Sequence, residues 1–325
     1  MNILGIETSC DETAAAIVSN GRKILSNIVT SSLKEHKKYG GIIPEIASRR
    51  QIELINLVVQ RALDQAKLTL NNVNAIAVTT KPGLIGSLLV GISFARALSF
   101  AAKKPLIEVD HIKAHLYANF LEGINALSEN APLNKQRPKL PALGLVVSGG
   151  HSSLFHIRSF KDYRLLGETR DDAVGETFDK VARMMELGYP GGPVIDRLAR
   201  TGENTEIHFS CADLPKTLDF SFSGIKTAVL YYVRDHKMKK DFSPEKIAFA
   251  FQDSVTTVLV NKSLRLCKEM KIPTLLIGGG VAANSMLRKK LSVESKKQNI
   301  RVFLPSLGLC MDNAAMIAGL GYHLI

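Results

Sequence analysis

One arrangement occurs twice in this chain of 325 residues: an apolar strand, a polar turn, a strand, a hairpin turn and a further strand. That repetition constrains the fold more than any other feature. Residues 2–30 read "NILGIET", "SCDET", "AAAIVS", "NGRK", "ILSNIVT", and residues 142–169 read "ALGLVVS", "GGHSS", "LFHIRS", "FKDY", "RLLGET". Short apolar runs bounded by turn residues are buried strands, and Asn-Gly between two of them is a hairpin signal. The repeat is far longer than the ~20–50 residues of a solenoid unit, so it implies two related domains facing each other.

Between the repeats the pattern changes to helices and parallel strands. Residues 44–70 carry Ile55, Val58, Val59, Ala62, Leu63 and Ala66 at helical spacing behind Pro44, which predicts an amphipathic helix. Strands at 73–80 and 105–110 flank an apolar helix at 84–102, a βαβ unit with a right-handed crossover. Arg96 and several small residues interrupt that apolar stretch, so a helix buried in the core is expected rather than a membrane span. In the second half, Ser243 and Pro244 open a helix running to about Met270. A strand at 274–280, the helix "VAANSMLRKKL", a strand at 302–305 and a last helix from Asp312 follow. The polar segment 123–141 reads as a linker or surface loop.

Composition narrows the function classes. A 46% hydrophobic chain of this length supports a large core. Net charge is +12, with basic clusters at 34–38, 234–240 and 288–301, which points to a polyanionic partner. Aromatics are 6% and Trp is absent, so stacking platforms for unpaired bases are not expected. Cys10, Cys211, Cys267 and Cys310 are scattered with no CxxC, which disfavours a disulfide framework and a thiolate zinc site and fits a reducing compartment. The first residues read as a strand and turn rather than a leader, so a cytoplasmic location is expected.

Several short stretches can carry chemistry. "ETSCDET" and "VSGGHSS" are twin strand-to-strand turns whose backbone N–H groups can form nests for phosphate oxygens. Together they could hold a phosphorylated ligand from two sides, as in actin-like ATPases. Asp11 and Glu12 lie beside the first, as metal holders, water binders or proton acceptors. "LLIGGGVAAN" lets the backbone approach a ligand closely before a helix N-terminus; Asn284 there offers both a donor and an acceptor. In "ELGYPGGPVIDRLA", Gly191 and Gly192 open a turn, and Asp196 could accept from ribose hydroxyls. Finally, "DHIKAH" places His111 and His115 four apart, on one helix face. HExxH zinc peptidases share that spacing but place a glutamate after the first histidine; here Ile112 stands there, which disfavours peptidase chemistry. A metal would need a third ligand. Asp110 and Asp312 are both open for that role, although Asp312 alone reads as a helix N-cap.

Taken together, "GIETSCDETAAAIV", "PGLIGSLLVGISFARAL", "DHIKAH", "VVSGGHSSL", "DDAVGETFDKVARMMELGYPGGPVID", "FSFSGIKTAV", "GGGVAANSMLR" and "MDNAAMIA" resemble, in order, the signatures of the TsaD family. The resemblance implies a duplicated actin/hexokinase/Hsp70-like (ribonuclease H-like) α/β fold with a cleft between domains. One domain would span 1–110 plus a C-terminal helix at about 308–325, the other 111–307. It implies transfer of a threonylcarbamoyl group from threonylcarbamoyl-AMP to N6 of adenosine 37 in tRNAs reading codons that begin with A, with release of AMP. By motif, His111, His115 and Asp312 would bind one divalent cation, Fe2+ in preference to Zn2+ or Mg2+. Val146, Val147, Ser148, Gly149, Gly150, Asp179, Gly192, Asp196 and Asn284 would bind the adenylate. Asp11 and Glu12 are the candidate catalytic bases. Besides tRNA, implied partners are a TsaB-type paralogue and a TsaE-type ATPase, with no membrane. Lys113 departs from the acidic residue common between the histidines, and Ser152 from a common Thr. The competing readings are a metal-dependent peptidase and a kinase or ATPase on the same fold.

Overall fold

The computed structural model describes residues 1–123, 137–203, 205–214 and 216–325. Most of the expected linker at 123–141 therefore lies outside the described residues. Along the chain run β1 (Asn2–Glu7), β2 (Glu12–Ser19), β3 (Lys23–Ser31), α1 (Leu33–His36), α2 (Pro44–Ala66), β4 (Ala75–Lys81), α3 (Ile85–Ala102), β5 (Leu106–Asp110), α4 (His111–Tyr117) and β6 (Glu122–Gly123). Then come β7 (Ala142–Val147), β8 (Ser152–Ser159), β9 (Asp162–Glu168), α5 (Val174–Met184), α6 (Gly191–Ala199), α7 (Ser223–His236), α8 (Pro244–Glu269), β10 (Thr274–Gly278), α9 (Ser285–Lys297), β11 (Arg301–Phe303) and α10 (Ala314–Gly321).

The described residues divide into two compact units. One contains Met1–Arg137, Ser159–Asp162 and Pro305–Ile325; the other contains Pro138–Arg158 and Tyr163–Leu304. The sheet of the first has the order β5-β4-β1-β2-β3-β6, and that of the second β11-β10-β7-β8-β9. The duplication legible in the sequence is thus a duplication of topology. In each unit the first strand pairs antiparallel with its hairpin partner and parallel with the strand that follows a helix.

The first sheet is buried on both faces, which is why its strands read as unbroken apolar runs. Ile3, Ala14, Ala16 and Val18 pack with Tyr117 of α4 and with α10. Leu4, Ile6, Ala15 and Ile17 pack on the opposite face against Ile55, Val58, Val59 and Ala62 of α2. Each such Leu, Ile or Val stabilises the unit by about 1.5–3 kcal/mol. The sequence reading began the second unit at residue 111. In the structure, α4 stays with the first unit, because Tyr117 is buried in that core and its hydroxyl donates to the Gly21 carbonyl at 2.7 Å.

One helix departs from expectation. The apolar stretch expected in the core is α3, and of its side chains only those of Ser87 and Ala95, with Gly91, are buried. Ile85, Leu89 and Phe100 are 79%, 57% and 88% exposed. Among the described residues α3 is the one helix long and apolar enough to cross a membrane. Composition identified an apolar helix, but not what covers it.

Candidate active site

The end of β5 runs directly into α4, and this joint builds the first half of the site. Asp110 is the N-cap of α4, its carboxylate accepting from the Lys113 N–H at 3.1 Å. At the start of α10 the capping residue is Asn313, which accepts from Met316 N–H at 3.2 Å. The aspartates therefore divide the two roles left open by the sequence. Asp110 is spent on a cap, and Asp312, one residue before the other cap, is free to turn toward the histidines.

His111 Nε2 and His115 Nε2 lie 3.2 Å apart, and Asp312 Oδ1 is 3.4 Å from the first and 3.1 Å from the second. A cation bound by three ~2.1 Å bonds would space its donor atoms about 3.0 Å apart on an octahedral face and about 3.4 Å apart in a tetrahedron. The observed triangle falls in that range, so these residues fit a divalent cation. They form a candidate metal-binding cluster, with the two histidines buried and Asp312 partly so.

The surroundings favour a cation as well. His111 Nδ1 is 2.9 Å from Glu7 Oε2 and 3.1 Å from Ser9 Oγ. Donation of Nδ1–H to the Glu7 carboxylate leaves the Nε2 lone pair pointing into the triangle, the usual carboxylate–histidine–metal relay. Glu7 is itself fully buried and takes a further hydrogen bond from Thr79 Oγ1 at 2.6 Å. Burial opposes protonation of His111, but the Asp312 and Glu7 charges outweigh it and raise its pKa well above the usual value. Burial pushes His115 the other way, below the ordinary histidine range. Asp312 is held below the usual carboxylate range: burial works against its charge, but the two histidines prevail. His115 Nδ1 is buried with no partner among the described residues.

Beside this cluster lies the β1–β2 turn. Asp11 is buried; its carboxylate accepts from Ser31 Oγ at 3.1 Å. Glu12 opens β2. Burial, then the charges of Asp312 and Asp11, raise its pKa well above the carboxylate norm. Glu7 was not among the residues singled out from sequence. The available signal was a carboxylate in the middle of a buried apolar strand, which is rare without a partner.

The second unit assembles the remaining candidates around the β7–β8 turn. Val146 and Val147 are wholly buried core residues of β7, so they can meet a ligand only through the backbone that follows them. Ser148 closes the turn, its N–H donating to the His151 carbonyl at 2.8 Å and its Oγ accepting from His151 N–H at 3.1 Å. Gly149 and Gly150 are exposed, and a Cβ on either would meet nothing within 4 Å. Gly192 is equally open. Asp179 Oδ1 accepts from Gly191 N–H at 2.7 Å, and burial raises its pKa despite the Gly191 and Gly192 amides.

Asp196 is engaged within its own unit. Its Oδ1 accepts from Ser285 N–H (3.1 Å), Ser285 Oγ (2.8 Å) and Gln252 Nε2 (3.2 Å). Asn284 is the N-cap of α9, accepting from Leu287 N–H at 2.9 Å, and donates to Gln252 Oε1 at 2.8 Å. Gln252, buried on α8, is thus the hub joining Asp196 to Asn284, and sequence reading missed it. Ahead of this network Gly279 has φ +90°, and a Cβ there would fall 2.4 Å from the Val147 carbonyl. Only glycine lets β10 turn away beside the end of β7.

Comparison with known proteins finds close relatives of the chain. The family model "TsaD: tRNA N6-adenosine threonylcarbamoyltransferase" matches residues 23–319. The chain is 49% identical over 324 residues to a tRNA N6-adenosine threonylcarbamoyltransferase of Clostridium botulinum, covering 99% of this chain and 92% of that protein. It is 48% identical over 330 residues to one from Protochlamydia amoebophila, with the same coverage. Among solved structures it is similar to component A of the (R)-2-hydroxyglutaryl-CoA dehydratase of Acidaminococcus fermentans (TM-score 0.54, 13% identity, 99% of this chain and 98% of that one). It is also similar to HypF of T. kodakarensis (TM-score 0.61, 14% identity, 99% and 48%). Identities this low speak for the fold alone, the duplicated actin/hexokinase/Hsp70-like α/β fold. The curated relatives and the family match identify the chain as a member of the TsaD family of tRNA N6-adenosine threonylcarbamoyltransferases.

Proposed function

We propose that this protein transfers the threonylcarbamoyl group of threonylcarbamoyl-AMP to N6 of adenosine 37 in tRNAs reading codons that begin with A. The observation that carries this reading is the near-complete match, 99% of the chain, to relatives of that name. The amine attacks the carbamoyl carbon, the bond from that carbon to the phosphate oxygen breaks, AMP leaves, and the amine loses a proton. An exocyclic adenine amine is a poor nucleophile, so positioning and charge stabilisation dominate the rate.

His111, His115 and Asp312 hold the divalent cation. Two imidazoles and one carboxylate on one face are the donor set typical of non-haem Fe2+, which favours iron over zinc or magnesium. When bound, the cation supplies a Lewis-acidic positive charge with open positions. Glu7 orients His111. The Val146–Gly150 segment and Gly192 offer backbone to the adenylate, Asp179 braces the Gly191–Gly192 turn, and Asp196 and Asn284, fixed by Gln252, complete that wall. Asp11 and Glu12 are the candidate proton acceptors. Burial and the neighbouring Asp312 and Asp11 charges raise the pKa of Glu12, which makes its carboxylate a stronger base than an exposed one.

The phosphates of tRNA meet the exposed cations of the basic segments. Within 34–38 these are Lys34, Lys37 and Lys38; His36 is buried and takes no part in that surface. Affinity for tRNA is expected to fall at least about tenfold between 50 and 200 mM salt; a filter-binding series checks this. The whole reading is tested by supplying threonylcarbamoyl-AMP and unmodified tRNA, with and without a TsaB-type paralogue and a TsaE-type ATPase, in a cytoplasm-like reducing buffer. No modified adenosine in any combination would refute it.

The exposed side of α3 supports docking of the paralogue. Ile85, Leu89 and Phe100 leave apolar surface that a partner can bury. Phe100→Glu is expected to weaken that association at least about tenfold, since it puts a charge where an apolar anchor should sit. Isothermal titration with the purified paralogue measures the change.

A further inference from the structure

The turn between β1 and β2 lies against the candidate metal cluster, with Ser9 Oγ 3.1 Å from His111 Nδ1. Its backbone is held in an unusual way. Each carbonyl from Thr8 to Glu12 accepts a hydrogen bond from outside the turn. Gln51 Nε2 reaches three of them: Cys10 O and Glu12 O at 2.9 Å and, more weakly, Thr8 O at 3.4 Å. Leu84 N–H donates to Ser9 O at 2.8 Å. Ser32 donates to Asp11 O from its N–H at 3.1 Å and from its Oγ at 2.9 Å.

In a planar trans peptide the N–H points opposite to the C=O. Tying back the carbonyls of Ser9, Cys10 and Asp11 therefore aims the N–H groups of Cys10, Asp11 and Glu12 to the other side of the turn. From one side chain Gln51 holds Cys10 O in this set, together with Thr8 O and Glu12 O on either side of it.

Gln51 is also a poor choice for packing. It sits fully buried on the apolar face of α2, between Ala47 and Ile55. Its Oε1 is buried with no hydrogen-bond partner among the described residues. A methionine of similar length would fill that space without burying an unpaired acceptor. A residue that breaks the local pattern at such a cost is expected to serve the site rather than the core.

We infer that Gln51 is a positioning residue for the transfer reaction, holding the Thr8–Glu12 backbone in register against the metal cluster. The inference rests on the proposed transferase activity. His36 extends the same brace. It is fully buried, its Nδ1 accepts from Ile43 N–H at 3.2 Å, and its Nε2 lies 3.1 Å from Ser32 Oγ, which in turn donates to Asp11 O.

The test compares Gln51→Met, which keeps the volume and removes the donors, with Gln51→His, which keeps one N–H donor. Each is assayed as the full chain with threonylcarbamoyl-AMP, tRNA and the partner proteins, beside wild type. Thermal midpoint, tRNA Kd, and kcat and KM for threonylcarbamoyl-AMP are measured. Gln51→Met is expected to keep its midpoint and to bind tRNA within twofold of wild type, with kcat at least tenfold lower and KM changed less than kcat. Gln51→His is expected to recover most of the lost kcat. An active wild type with Gln51→Met within twofold in kcat overturns the inference, as does a loss of kcat that only tracks loss of folded protein. If Gln51→Met does not fold, Ser32→Ala takes its place: it removes one donor to Asp11 O, should lower kcat severalfold at unchanged midpoint, and an unchanged kcat overturns the inference. An inactive wild type instead refutes the transferase reading.

Discussion

Asp312→Ala is expected to leave a folded protein whose transfer rate is at least about a hundredfold below wild type. The fold survives because the helix that follows does not depend on this residue. Asn313 caps α10, and Asp312 makes its hydrogen-bonding contact with His115 instead. The loss is chemical: the variant offers a cation two neutral imidazoles and no carboxylate. A bound cation contributes several kcal/mol of charge stabilisation, and about 2.7 kcal/mol already corresponds to a hundredfold in rate. Metal content by elemental analysis should fall together with the rate. The neighbouring substitution Asn313→Ala is expected to give the reciprocal result, costing about 1 kcal/mol of stability through the lost cap while leaving the His111, His115 and Asp312 side chains intact. An Asp312→Ala protein with full metal content and near-normal turnover would remove the triad from the mechanism.

The second large effect comes from a residue with no functional group. A Cβ on Gly5 would lie 2.3 Å from the Ala314 carbonyl oxygen and 2.7 Å from Ala318 N. Both are backbone atoms of α10, so no side-chain rotation relieves the clash and the helix must move. In Gly5→Val the overpacking is expected to cost about 3 kcal/mol, lowering the thermal midpoint by roughly 5–10 °C. Asp312 precedes α10 by two residues, so the same displacement carries its carboxylate away from the histidines. Metal affinity should therefore drop in molecules that are still folded, as read by cation titration well below the midpoint. Gly149→Ala is the control for stability: its Cβ meets nothing within 4 Å, and the midpoint should stay within about 1–2 °C.

The failures of sequence reading share one cause. The amphipathic pattern of 44–70 predicted α2 well, yet it passed over Gln51, because a single polar residue on an apolar face is invisible to a period. Glu7 was hidden in the same way inside an apolar strand. The helix at 84–102 was expected in the core and instead exposes Ile85, Leu89 and Phe100, because hydropathy measures what a side chain prefers and not which neighbour reaches it. Asp196 and Asn284 stand out in the sequence as polar residues beside glycine turns. Their joining through Gln252 across three helices was not legible, since those positions are far apart in the chain.

Local order along the chain determined a great deal by itself: the doubled strand–turn–strand unit, the alternation of strands and helices between its copies, the two histidines on one helical turn, and the glycines that open the turns. All of these depend on residues within a few positions of one another, where backbone geometry dictates spacing. Which aspartate joins the histidines, and which carbonyls a buried glutamine restrains, were decided by tertiary packing. Asp110 and Asp312 are chemically identical and each lies next to a helix start. Only the folded chain assigns one to the cap and brings the other, 197 residues from His115, to 3.1 Å from its ring.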